Sequence, residues 1–220
     1  LAKVLEIPGD FRVRISSLEP DGFGDRFVEL FANPKLMPHL HLCLQSGSEK
    51  TLLRMRRMYD VEQFRKTINQ FRSVYPEFNF TTDIIVGFPG ETEEEFQETI
   101  DAVKEFNFSH VHTFKYSVRR GTRAERLENH IPEKVKNARS LKVRELSEEN
   151  KLNYFSSFIG KSQDVLIEKI AQGIANGYGQ NYVPIRFKAS KAEKNTVQSV
   201  RLTEIRGIGE NMYLYGELND

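Results

Sequence analysis

The sequence predicts an α/β chain, an incomplete (β/α) part-barrel with parallel strands followed by a small all-β barrel. Three observations carry that reading. The stretch Asp83-Ile84-Ile85-Val86-Gly87-Phe88-Pro89-Gly90-Glu91-Thr92 passes from a β-branched apolar run through a glycine turn into a helix start, which is one strand–turn–helix unit. Such units recur up to about residue 125, and strands alternating with helices build a parallel sheet with right-handed crossovers. After Gly160 the helical spacing stops, and short β segments separated by turns take over.

Each element follows in order. Leu1 to Asp10 opens without a starting Met or a secretion signal and closes on a Pro8-Gly9-Asp10 turn, so we read the chain as a piece of a longer polypeptide. Phe11 to Pro20 alternates and is rich in β-formers, a strand that ends in a small polar loop. Phe27, Leu30 and Phe31 mark a following helix, and His39-Leu40-His41-Leu42-Cys43-Leu44-Gln45-Ser46-Gly47-Ser48 a second strand with its loop. The next helix is expected to carry Leu52, Leu53 and Met55 inside, with Arg54, Arg56 and Arg57 around them. Another helix runs from about Val61 to Tyr75. In the central unit, Thr92 with Glu95 three residues on has the form of a capping box, and Phe96, Ile100 and Val103 follow at helical spacing. His110 to Tyr116 is a fourth strand, running into Ser117-Val118-Arg119-Arg120-Gly121-Thr122. Four units are too few to close an eight-stranded barrel, so residues 1–131 are expected to form an open or part-closed one.

Residues 132–157 are charged and helical, with Val135, Ala138, Leu141, Leu146 and Leu152 as a sparse apolar stripe, which predicts a half-exposed helix bridging two bodies. Its basic residues fit either a solvated face or a phosphate-contacting one. Residues 158–220 hold the segments Val165–Ile167, Tyr182–Phe187, Val197–Leu202 and Met212–Tyr215, with turns at Gln172-Gly173, Asn176-Gly177 and Gly207-Ile208-Gly209. That pattern predicts a small closed barrel. Tyr178, Tyr182, Arg186, Phe187, Lys188 and Lys191 supply rings and cations together, the mixture that stacks bases and holds phosphates. The plainer reading is a β-rich accessory domain that only packs.

Composition narrows the classes. A chain that is 39% hydrophobic and 29% charged can build a core. A net charge of +1 gives no global field for nucleic acid. No apolar run approaches the ~20 residues of a membrane helix, and a cytoplasmic protein is the expectation. The single cysteine, Cys43, excludes an intrachain disulfide and any all-cysteine metal site from this chain.

The strand ends collect polar groups: Ser16, Ser17 and Glu19; Gln45, Ser46 and Ser48; Asp83 and Glu91; Tyr116, Arg119, Arg120 and Thr122. Convergence of four such ends on one rim is how an α/β active site is built. His39 and His41 alternate on one strand face without a carboxylate at ligand spacing in the sequence, so a satisfied core or interface pair is expected. His110 and His112 repeat that geometry.

Four motifs follow one another at matching intervals: His39-Leu40-His41-Leu42-Cys43-Leu44-Gln45-Ser46-Gly47, Leu53-Arg54-Met55-Arg56-Arg57-Met58-Tyr59, Gly87-Phe88-Pro89-Gly90-Glu91-Thr92 and Tyr116-Ser117-Val118-Arg119-Arg120-Gly121-Thr122. Together they resemble the radical S-adenosylmethionine methylthiotransferases. In that family a part-barrel is followed by a small RNA-binding β-barrel, the TRAM domain, and Gly177-Tyr178-Gly179-Gln180-Asn181-Tyr182 resembles its characteristic stretch. Arg14 to Pro20 and the Arg119–Thr122 turn look most like the branch acting on threonylcarbamoyladenosine beside the tRNA anticodon. The resemblance implies a four-iron cluster that cleaves S-adenosylmethionine to a radical, and a methylthio group from a second cluster inserted at C2 of the adenine. It implies cytoplasmic tRNA, through its anticodon stem-loop, as partner. By matching motif, Gln45 and Ser46 would lie near the ribose or methionine of the cofactor, Arg57 near its carboxylate, and Val86 and Gly87 along its adenine. Glu19, Tyr116, Arg119 and Arg120 would face the substrate, and Tyr178, Tyr182, Arg186 and Lys188 the RNA.

The chain departs from the family at the clusters. The family uses a Cys-x3-Cys-x2-Cys loop and three further cysteines, and neither set is present. Cluster ligation needs thiolates, and Cys43 stands in a strand as a buried small residue. The 220-residue piece is therefore expected to be inactive and cofactor-free, its longer parent being the enzyme. Two rivals stand beside this reading. One is a non-catalytic RNA-binding protein; the other is a metal- or carboxylate-using barrel enzyme built on Asp83, Glu91, His39 and His41.

Overall fold

The computed structural model describes residues 1–20, 23–24, 26–189 and 193–219. Its first half is a four-stranded parallel sheet, β1 (Val13–Leu18), β2 (Leu36–Leu42), β3 (Asn79–Val86) and β4 (His110–Lys115), paired in the order β1-β2-β3-β4. The crossovers are α2 (Glu49–Met55) and α3 (Val61–Val74) before β3, and α4 (Glu93–Phe106) before β4. A four-residue α1 (Ala2–Leu5) precedes them. Asp60 caps α3 by accepting from Gln63 N at 2.6 Å. The Thr92/Glu95 capping box is present in both directions, which satisfies two of the orphan N–H groups at the start of α4.

Alternation along each strand sorts the side chains. Leu40, Leu42, Phe80, Ile84, Val86 and Val111 point outward and pack with Phe64, Phe71, Phe96 and Ile100 of the helices into one core. Burying each such side chain contributes roughly 1.5–3 kcal/mol. The opposite, inner face is polar.

The second half is a closed barrel of five strands, β5 (Ser162–Ala171), β6 (Ile174–Tyr178), β7 (Pro184–Lys188), β8 (Val197–Arg206) and β9 (Tyr213–Leu218), in the order β5-β6-β7-β9-β8. Val165, Ile167, Ile185, Phe187, Leu202 and Leu214 fill its own core. A 24-residue helix, α5 (Glu133–Ser156), joins the two halves. Val143 lies in the first core and Phe155 in the second.

The structure corrects several expectations. Phe27, Leu30 and Phe31 sit on a five-residue 3-10 turn, Val28–Ala32, not on an α-helix. The Phe27 and Phe31 rings meet the edge of Phe71, and Pro34 follows at once. Leu53 is 76% exposed, because α2 ends after seven residues on a left-handed Arg56 and turns only Thr51 and Leu52 inward. The apolar stripe predicted for α5 is not its buried face. Val135, Leu141 and Leu152 are exposed, whereas Arg139, Ser140, Ser147, Asn150 and Lys151 are buried with Val143. Those polar groups have partners: Ser147 Oγ accepts from Val111 N at 2.8 Å, and Asn150 Nδ2 donates to Val103 O at 3.1 Å. Asn176-Gly177 lies inside β6 and is no turn. A Cβ on Gly177 would come within 2.0 Å of Leu166 O, so the glycine serves close strand approach. Tyr182 precedes β7 in a turn, at φ +60°.

Candidate functional site

The inner face of the sheet and one end of the barrel enclose a cleft of about 770 Å³. Arg14 and Ser16 of β1, His39 and His41 of β2, Thr81 and Asp83 of β3, and His110 and His112 of β4 line it from one side. Tyr178, Tyr182 and Pro184 of the barrel close it from the other. Parallel pairing sets His41 level with Thr81, and Asp83 level with His112. Strand register therefore supplies the carboxylate that linear spacing hides. His41 Nε2 stands 3.2 Å from Asp83 Oδ1, and its Nδ1 stands 3.0 Å from Thr81 Oγ1. The expectation of histidines without an acidic neighbour is corrected for His41.

Burial sets the protonation of this face. It pushes the His39 imidazole down to about 3, with help from Arg14 and His41, and that of His110 to about 4, with help from His112 and Lys151. His41 is lowered by burial in spite of Asp83. His39 and His110 are therefore neutral at pH 7. The Cys43 thiol is raised by burial and lies 3.4 Å from Ser17 Oγ.

At the rim the structure distributes the predicted groups unevenly. Gln45 adopts φ +67° and is buried, its backbone joining Asp83 O at 2.8 Å and Ile85 N at 2.9 Å. Ser46 is wholly buried and bonded to Thr99 Oγ1 at 3.2 Å. The Ser48 side chain is buried too. Arg57 and Glu19, expected at cofactor and substrate respectively, form an ion pair with each other. Val86 is wholly buried. Gly87, at φ +72°, lies beneath the Lys136 side chain, whose Cγ would stand 2.2 Å from an added Cβ. Lys136 Nζ reaches Tyr116 O at 3.1 Å. Glu91 is turned away from the rim. Its side chain is 1% exposed, and Oε2 accepts from Gly87 N at 2.7 Å and from Arg139 Nη1 at 2.6 Å. Tyr116 packs on Phe88, with its hydroxyl buried and unpartnered among the described residues. Arg119 and Arg120 are exposed on the turn that follows β4.

In the barrel, Tyr178 and Tyr182 stack on one another at 4.5 Å with an 11° tilt. Arg14 covers Tyr182 at 3.9 Å and His39 lies 5.0 Å from it. These two rings are occupied by the junction between the halves. A different surface carries open ring–cation pairs: Arg186 sits over Tyr213 at 3.9 Å and Arg206 over Tyr215 at 3.6 Å. Lys188 is exposed on the same strand as Arg186. Lys191 falls outside the described residues. Tyr213, Tyr215 and Arg206 escaped the sequence reading; β8–β9 pairing brings them together, and only the alternation of β9 hints at it.

The groups at hand test what the site can hold. One cysteine cannot ligate a four-iron cluster, which takes several thiolates, so the chain by itself does not fit that group. At the strand ends, the Tyr116 hydroxyl and the Arg57 Nε are buried without a partner among the described residues, while Arg57 pairs with the Glu19 carboxylate.

Residues 1–103 match the radical SAM superfamily. The threonylcarbamoyladenosine tRNA methylthiotransferase MtaB of Thermotoga maritima is 41% identical over 208 residues, covering 93% of this chain and 48% of that protein. Its namesake in Bacillus subtilis is 37% identical over 202 residues, covering 89% and 45%. The tRNA-2-methylthio-N(6)-dimethylallyladenosine synthase of Lachnoclostridium phytofermentans is 34% identical over 222 residues, covering 99% and 48%. The chain thus spans about half the length of the curated relatives it matches. Among the described residues no helix is long and apolar enough to cross a membrane.

Proposed function

We propose that this chain belongs to the radical S-adenosylmethionine methylthiotransferases, the family of the relatives it resembles, and that it is the part-barrel and RNA-gripping portion of a tRNA-modifying enzyme. The substrate we assign is N6-threonylcarbamoyladenosine next to the anticodon, methylthiolated at C2. Two relatives at 41% and 37% identity carry that substrate in their names, and the Arg14–Pro20 and Arg119–Thr122 stretches favour the same branch.

S-adenosylmethionine, when bound in the parent with its two four-iron clusters, supplies the radical chemistry. The part of this chain is to bind and orient. Arg57, released from Glu19, offers a guanidinium fork for the carboxylate, and Gln45 lies just beyond the end of β2. The Tyr116 hydroxyl can donate to a base or ribose at the rim. Arg119 and Arg120 hold phosphate at the mouth, where they are exposed.

The observation that carries the RNA role is the outer barrel surface, where Arg186 and Arg206 lie over Tyr213 and Tyr215 with Lys188 alongside. Rings stack bases and cations take phosphates. Tyr178 and Tyr182 are assigned a lesser part, because their faces are already occupied. We infer that the 220-residue chain binds an anticodon stem-loop yet modifies nothing alone, since it brings one cysteine. Titration of the labelled stem-loop tests this. Affinity should fall steeply with salt, and Arg186→Ala with Lys188→Ala should weaken it and flatten the salt slope. Binding that ignores both changes would remove the RNA role.

The single cysteine also favours a second reading, an RNA-binding protein without catalysis. A parent that carries a Cys-x3-Cys-x2-Cys loop decides for the enzyme, and one without it for the binder.

A further inference from the structure

The inner face of the sheet holds a donor set, His41, Cys43 and Asp83, to which the roles proposed above assign nothing. We propose that His41, Cys43 and Asp83 form a site for a borderline divalent cation of the zinc class, with an open coordination position facing the interdomain cleft. Three observations on separate strands and shells support it.

The first is convergence. His41 and Cys43 are two apart along β2 and its extension, so both point inward. Asp83 comes across from β3, two residues beyond the Thr81 that pairs with His41. One donor atom from each, a ring nitrogen, Sγ and a carboxylate oxygen, all lie within 4.8 Å of one another. With metal–ligand bonds of about 2.0–2.3 Å, the donors of a tetrahedral site stand about 3.3–3.7 Å apart. His41 Nε2 and Asp83 Oδ1, at 3.2 Å, are already close to that spacing, and rotation of Cys43 supplies the rest.

The second is orientation. Thr81 Oγ1 stands 3.0 Å from His41 Nδ1 and 3.3 Å from His39 Nε2. Holding Nδ1 fixes the ring and leaves Nε2 to face the other donors, as outer partners do for metal-bound imidazoles. Ser17 Oγ stands against Cys43 Sγ at 3.4 Å and serves that sulfur in the same way.

The third is charge. Metal binding would displace the Cys43 thiol proton, and the resulting thiolate, a carboxylate and a neutral imidazole sum to the charge that cancels a dication. Three protein ligands with a fourth position open to a cleft of about 770 Å³ is the form that polarises or orients a bound molecule, not the closed form of a structural site.

Cobalt(II) titration of the chelator-treated 220-residue chain tests the site. Saturable one-to-one binding should bring intense four-coordinate visible bands and a sulfur-to-cobalt charge-transfer band. Because the chain has one cysteine, that band assigns Cys43 in the unaltered protein, whatever happens to the variants. Cys43→Ser should abolish it. Asp83→Asn should weaken binding by about ten-fold or more, and Thr81→Val should weaken it by about ten-fold at unchanged stoichiometry. His112→Asn should leave binding intact. Absence of saturable binding, binding without the charge-transfer band, equal affinity in Asp83→Asn, or loss of binding in His112→Asn would each overturn the assignment.

Discussion

Arg139 Nη1 stands 2.6 Å from Glu91 Oε2, with the two side chains only 7% and 1% exposed. The same carboxylate oxygen accepts the N–H of Gly87 at 2.7 Å. The glycine turn after β3 is thus clamped from behind by α5. Burial raises the Glu91 carboxyl, while Gly87 and Arg139 pull it back. Arg139→Met leaves that charge buried and alone, and breaking such a pair costs about 3–5 kcal/mol. In a chain of this size that is a Tm lower by roughly 6–20 °C. Glu91→Gln in the same background should recover much of the loss, and thermal unfolding of the two single variants and the double variant checks it.

Gly87→Ala should destabilise through two separable causes. A Cβ would stand 2.2 Å from Lys136 Cγ, and the backbone is held at φ +72°. The total should be about 1–3 kcal/mol. Lys136→Ala added to Gly87→Ala should restore the steric part and leave the backbone part, as urea midpoints would report.

Acid should act through His110. Its imidazole is lowered from 6.5 to about 4, by burial first and then by His112, Lys151 and His41. Among the charged groups lining the neighbouring recess, Glu210 and Glu148 are acidic and Arg144 is basic. The unfolded chain takes up this proton near pH 6.5 and the folded chain only near 4. The contribution of His110 is therefore complete above 6.5 and lost progressively as pH falls toward 4. His110→Asn should make stability less steep across that window, measured as urea midpoints at stepped pH.

Arg14 and Tyr182 couple the two halves. The guanidinium lies 3.9 Å from the ring centre, and the far partner of the ring is Tyr178. A double-mutant cycle with Arg14→Ala and Tyr182→Leu should give a coupling energy of about 0.5–2 kcal/mol. A value near zero would mean that the contact holds nothing together.

What the sequence discloses and what it hides divide along physical lines. Features that depend on local order are legible, as the Thr92/Glu95 box and the inward Phe96, Ile100 and Val103 show. The parallel sheet was legible for the same reason, since strand and helix periods alternate along the chain. Features created by pairing distant strands are not. Asp83 reaches His41 only through the β2–β3 register, and Arg206 meets Tyr215 only through β8–β9. The buried side of α5 misled for another reason. It is built from Arg139, Ser147, Asn150 and Lys151 with partners waiting for them, so hydrophobic spacing points to the wrong face. At the rim, Glu19 and Arg57 were legible as charged groups, but their mutual pairing was not.

The ring of the barrel is closed by two pairings between strands distant in the chain, β5 with β8 and the parallel pair β7 with β9. The neighbours β5 and β6, by contrast, meet through the Gln172-Gly173 turn. Hairpins form in microseconds, whereas joining strands far apart along the chain carries a larger loop-closure entropy. The barrel should therefore form its β5-β6-β7 and β8-β9 hairpins first and seal along β5–β8 and β7–β9 last. Until the β7–β9 seam closes, Arg186 and Tyr215, register partners across it, do not share a surface. A chain emerging from the ribosome would thus acquire its ring–cation surface only when β9 has been made.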